Sequence, residues 1–188
     1  MGRPGDALAA NEVARSLPIA RRDPLFTSLG HARQAAIHGP TDEATAVQRS
    51  LGEARDVLDR AQPGFTRPVW LTAHYDQATL DSLALAAYLP LGRYDDNEAH
   101  AHRSLALLRP HMQRSRAITQ ARLARAQLGQ SDLEPAVNTA MSIPTGLCAH
   151  PRVAGMLNRF GASLNALAPG SSHAQRWDQY AHDTQGIT

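Results

Sequence analysis

The sequence predicts an all-α fold built as an array of helical hairpins. Three observations predict it. Alanine and leucine dominate while β-branched residues are scarce, which favours helix over strand. Apolar residues recur three and four positions apart in segment after segment, and no stretch alternates with the period of two that a half-buried strand needs. Proline, glycine or a capping residue ends each periodic segment, leaving connections short enough to force consecutive helices side by side.

Residues 1–23 carry Pro4, Pro18 and the run Arg21-Arg22-Asp23; their periodicity is weak, and a mobile N-terminal segment is expected. The helical domain is expected over residues 24–188. Pro24 opens a first helix, 24–38, which Gly39-Pro40 ends. Thr41 is expected to cap a helix over 42–61, with Asp42 and Glu43 in the first turn, where the helix dipole favours acids. Gln62-Pro63-Gly64 stops it, and the short aromatic stretch Val69-Trp70-Leu71 follows. Asp76 caps a helix over 77–91, broken by Gly92. Asp95 and Glu98 have capping-box spacing for 96–109, as do Ser131 and Glu134 for 132–143, with a helix over 114–128 between them. Val153, Met156, Leu157, Phe160, Leu164 and Leu167 give a helix over 151–167 an amphipathic pattern. A last helix carries Trp177 and Tyr180.

With 188 residues the chain is long enough for one sizeable core or one short repeat array. Apolar residues at 43% and charged residues at 19% are the balance of a folded chain rather than a disordered one. All 19 basic side chains are arginine, the composition of a very GC-rich genome. A net charge of +2 argues against the chain as a whole acting as an electrostatic nucleic-acid binder. The single cysteine, Cys148, excludes an internal disulfide and fits a reducing compartment, with a buried, neutral thiol. No run approaches the roughly 18 apolar residues of a membrane span. Met1 to Asp6 lack the apolar core of a signal peptide, so a cytoplasmic location is expected.

Within the periodic pattern one unit, Asp81 to Pro110, is best formed. Tyr88, Gly92, Tyr94, Leu105 and Pro110 occupy the positions of first-helix aromatic, turn glycine, turn aromatic, second-helix apolar residue and terminal proline of a tetratricopeptide repeat, which this unit resembles. Asn97 and Ser104 depart from the small residues of that motif. A second unit, Ile118 to Ile143, keeps Ala124, Ala136 and Ala140 but has Ser131 at the turn glycine. Tyr94 and Leu133 are equivalent and 39 residues apart, longer than the standard repeat of about 34. The fold class is therefore a degenerate tetratricopeptide-like helical-hairpin array, an α-α superhelix. Trp70-Leu71 through Asp76, Leu91-Gly92-Arg93-Tyr94, His150-Pro151-Arg152-Val153, Trp177 and Tyr180 further resemble the C-terminal domain of actinobacterial transcriptional regulators of the xenobiotic-response-element helix-turn-helix type, over about residues 40–185. The resemblance implies a regulatory or protein-interaction role; self-association as a homodimer is expected because a short array has apolar ends that a neighbour can cover. The first 40 residues hold no helix-turn-helix, so the DNA-binding domain is expected to have been removed or never present, and direct DNA contact is not expected.

In such an array the first helix of each pair lines a concave surface that takes a peptide, a partner protein or a small effector. Arg122 and Arg125 are placed on that inner face, and guanidinium forks suit carboxylates; Arg116 assists from the helix start. Trp70 and Tyr88 complete the candidate groove residues. The competing reading of the arginines is a solvated helix face. Residues 99–131 contain six arginines and no acid, which suits phosphate contacts, but they spread over three helical segments. The alternative function is a small all-helical enzyme with an acid–base pocket of His74, Asp76 and Tyr88, which requires those groups to converge. None of the nine histidines has zinc-site spacing, and neither metal nor cofactor is expected.

Overall fold

The computed structural model describes residues 3–61, 71–72 and 75–185. Among them the chain is all-helical: α1 (Pro4–Ser16), α2 (Pro18–Arg22), α3 (Pro24–His38), α4 (Ala44–Asp59), α5 (Gln77–Tyr88), α6 (Tyr94–Leu107), α7 (Gln113–Gly129), α8 (Leu133–Met141), α9 (Thr145–Cys148), α10 (Pro151–Leu167) and α11 (Ser172–Gln185), with a 3-10 turn at Gly39–Thr41. The N-terminal segment is thus not irregular: Pro4 and Pro18 each start a helix, as proline can where its missing N–H has no helical partner to lose. α1 and α2 both lie against α3.

Helices pair in sequence, α3 with α4, α5 with α6, α7 with α8 and α10 with α11. The first helices of the pairs also touch one another, α3 on α5, α5 on α7 and α7 on α10, so they form one row. α4 and α6 each reach the first helix of the following pair. The core follows this connectivity by breaking into separate clusters. One joins α3, α4 and α5 around Val47 and Leu80. Another joins α7 to α11 around Val137, Leu157 and Phe160. Leu85, Ala101 and Leu123 join α5, α6 and α7 between them.

The turns inside the first three pairs are the same turn. Asp42, Gly92 and Ser131 all have left-handed backbones, with φ of 61°, 67° and 69°. In each, the left-handed residue's N–H reaches back three residues (Asp42 to Gly39, Gly92 to Leu89, Ser131 to Leu128). The next N–H reaches back five (Glu43 to His38, Arg93 to Tyr88, Asp132 to Gln127). This is Schellman closure, which satisfies the last carbonyls of the first helix. Ser131 therefore takes the turn position that Gly92 holds in the preceding pair, 39 residues earlier.

The same closure overturns three expected caps. Thr41 does not cap α4; its hydroxyl donates to the His38 carbonyl (2.8 Å) and to Glu43 (3.1 Å). The Asp95–Glu98 and Ser131–Glu134 boxes do not form, because α6 and α8 start at Tyr94 and Leu133, with Arg93 and Asp132 as caps. A helix that begins two residues after a left-handed one leaves no room for the expected cap. Asp76 does cap α5, accepting from the Thr79 N–H at 3.0 Å. Because serine bears a Cβ in a conformation that suits glycine, Ser131→Gly is expected to raise stability by about 1 kcal/mol, read from urea unfolding. An unchanged or lower midpoint would show that the turn is not strained.

Side chains repeat in register as well. His31–Glu53 (2.8 Å), Asp81–Arg103 (3.4 Å) and Gln120–Ser142 (2.9 Å) are polar pairs at matching positions of three successive hairpins. Ser28 donates to the Ala54 carbonyl and Ser104 to the Ala78 carbonyl, the same pair of positions with donor and acceptor exchanged. Asn97 and Ser104, the departures from the motif, are fully buried. Each is accommodated by donating to a carbonyl of the preceding helix, Asn97 to Leu85 at 2.8 Å and Ser104 to Ala78 at 2.9 Å. Cys148 is buried as expected, its thiol pushed up by burial, with sulfur contacts to the Ile143 and Pro144 carbonyls.

Candidate functional site

The row of first helices carries the arginines. On α7, Arg122 and Arg125 are three residues apart and share a face. On α10, Arg152, Met156 and Arg159, four and three residues apart, also share a face. The α5 end contributes Ala86, Leu89 and Pro90. Among the described residues these eight line a cleft of about 250 Å³, with four guanidinium groups and no carboxylate. None of the four arginines has an ion-pair partner among the described residues.

Arg122 is the most enclosed of them. It donates to the Ser82 carbonyl at 2.7 Å, which anchors the head group across to α5. Burial pushes its guanidinium down to about 10, and the charges of Arg152 and Arg125 push in the same direction. Arg125 is lowered for the same two reasons, burial first and the charge of Arg159 second. Arg152 and Arg159 are exposed at the rim. The free protein thus holds like charges against one another in a partly dry cleft, an arrangement that an anion relieves.

The cleft continues. Leu89 and Arg125 also line a second cavity of about 320 Å³, whose other walls are Tyr94, Leu128, Gly129, Ser131, Ser163 and Leu167. On the other side Arg152 borders a third cavity, about 400 Å³, with His111, Met112, Arg114, Ser115 and Ile118. The three make a groove running along α7 and α10. A cavity of about 440 Å³ between α1, α2 and α3 is of a different kind, because Glu12 stands there with Arg15 and Arg21, and Arg15 is already bound to Gln34 and His31.

Arg122 and Arg125, expected from the sequence, come together at the groove. Two other expected residues, Arg116 and Tyr88, do not. Arg116 donates to the Leu108 carbonyl at 3.0 Å and ties α7 to the end of α6. Tyr88 is buried in the α3–α4–α5 core, stacked on His100 with ring centroids 5.5 Å apart. Trp70 lies outside the described residues, as does His74. The acid–base trio is not assembled in any case, since Asp76 and Tyr88 stand at opposite ends of α5, about 18 Å apart at 1.5 Å per residue. What sequence reading missed is the α10 half of the cleft, Arg152 and Arg159. A signal was present, for no Asp or Glu occurs in α7 or in α10.

Comparison of the chain with protein-family models, with curated proteins and with solved structures returns no match in any of the three. The class of protein is therefore defined by the molecule itself, as an all-helical chain of paired helices with an uncompensated arginine cleft.

Proposed function

We propose that this chain is a degenerate tetratricopeptide-like array acting as a regulatory or protein-interaction module, and that its groove binds an acidic polypeptide segment of a partner. The shared Schellman turns, the in-register polar pairs and the row of first helices support the array. The four-arginine cleft without a carboxylate carries the ligand reading: partly desolvated guanidinium groups favour a carboxylate-bearing chain, bound through charge-assisted and bidentate hydrogen bonds.

Binding of a labelled glutamate-rich peptide, measured by fluorescence anisotropy, tests it. Affinity is expected to fall as salt is raised. It is also expected to fall by about tenfold to a hundredfold in the double variant Arg122→Met and Arg125→Met, at roughly 1.4 kcal/mol per tenfold. The same Arg122→Met change is expected to stabilise the free protein by about 1 kcal/mol, because it removes a partly buried charge that two neighbours oppose. A binding residue whose loss strengthens the fold is the mark of a site kept for its ligand. Equal binding of a lysine-rich peptide, or unchanged affinity in the double variant, would sink the proposal.

A further inference from the structure

Resting on that reading, we infer that the groove recognises a two-part segment, in which acidic side chains at the arginine cleft are followed at a set distance by one bulky apolar anchor in the second cavity. The two cavities are contiguous, because Leu89 and Arg125 line both. Their charged groups differ. The first holds four arginines, whereas Arg125, at the junction, is the only charged one among the described residues that line the second.

The apolar walls of the second cavity are Leu89, Tyr94, Leu128 and Leu167. Leu167 is 52% exposed, one of five large apolar side chains that stand out among the described residues, and it borders this cavity. An apolar side chain left in water beside a cavity gains from a ligand that covers it. A lone phosphate or carboxylate fills the first cavity and leaves the second open. A segment of polypeptide occupies both, so the acidic-and-apolar peptide is the occupant that the two chemistries favour together.

The spacing follows from α10. Arg159 and Leu167 are eight residues apart on that helix, about 12 Å at 1.5 Å per residue. An extended ligand rises about 3.3 Å per residue, so its acids and its apolar anchor are separated by about four residues.

The test uses labelled synthetic peptides and the full chain. The parent peptide carries a pair of glutamates and a phenylalanine about four residues away; one control replaces the phenylalanine by serine and another moves it next to the glutamates. The parent is expected to bind about tenfold more tightly than either control. Leu167→Ser, a substitution at a half-exposed position, is expected to erase that advantage while leaving the serine control unchanged. Arg152→Glu with Arg159→Glu, both at exposed positions, is expected to weaken parent and controls alike. Equal binding of parent and controls overturns this inference and leaves the acidic-segment reading standing. Failure of every acidic peptide to bind overturns both. Inorganic phosphate that binds as tightly as the parent peptide overturns the two-part ligand in favour of a small-anion site.

Discussion

Phe160→Ala is expected to cost about 3–5 kcal/mol and to open the C-terminal helices before the N-terminal ones. Phe160 is completely buried and meets Trp177 edge-on, with ring centroids 4.9 Å apart. Trp177 in turn packs so closely on α10 that a Cβ added at Gly161 would stand 2.4 Å from its indole nitrogen. Neighbours held this tightly collapse poorly into a cavity, which places the loss toward the upper part of the range. The localisation follows from the divided core. Phe160 belongs to the cluster joining α7 to α11, and the cluster around Val47 and Leu80 contains no residue of α7 to α11. In a chain stabilised mainly by nearest-neighbour contacts, damage stays local. Urea unfolding gives the total, and hydrogen exchange by mass spectrometry gives the distribution. Protection lost over α8 to α11 with α3 and α4 unchanged is the expected result; equal loss everywhere would show a single cooperative core.

Asp81→Ala is expected to destabilise the protein by about 3 kcal/mol at neutral pH, with the loss shrinking in acid. Asp81 on α5 is fully buried and accepts from His100 Nδ1 at 2.6 Å, Gln77 Nε2 at 3.0 Å and Arg103 Nε at 3.4 Å. Burial alone pushes its carboxyl up. The hydrogen bonds from His100 and Gln77, with the charges of His100 and Arg103, outweigh burial and hold it below the ordinary carboxylate value. A carboxyl that titrates lower in the folded chain than in the unfolded one stabilises the fold when ionised. That contribution is complete above the unfolded value of about 4 and is lost as pH falls through the lower folded value. Urea midpoints of parent and variant should therefore differ most near pH 7 and converge toward pH 3. A difference that does not vary with pH would assign the loss to packing. Asp81→Asn, which keeps the shape and removes the charge, separates the two.

Much of the fold was legible in the sequence because helix formation is written locally. The bounds of α3 and α10 match the periodic segments 24–38 and 151–167 to the residue. Asp76 capped the helix it was expected to cap, and Gly92 broke the same helix with a positive φ. The misses share a cause. Thr41, Asp95 and Ser131 have the composition of helix starts, but in each turn the preceding helix's Schellman closure sets the local backbone first. Composition does not show which of two competing hydrogen-bond patterns a turn will adopt.

The site was half legible. Arg122 and Arg125 share a helix, so their common face follows from 3.6 residues per turn. Arg152 and Arg159 join them from α10, and Tyr88 and Arg116 leave the expected set because their partners, His100 and the Leu108 carbonyl, lie on other segments.

By itself, then, the sequence determined that the chain is helical and where most helices run. Those properties depend on residues within a turn or two of each other. Only the tertiary structure decided that four arginines from two helices share one cleft, with no carboxylate among its described lining residues, and that a cavity walled in part by Leu89, Leu128 and Leu167 continues it. Such convergence depends on how α10 packs against α7, and that packing is set by the shape of Phe160, Trp177 and their neighbours rather than by any local pattern.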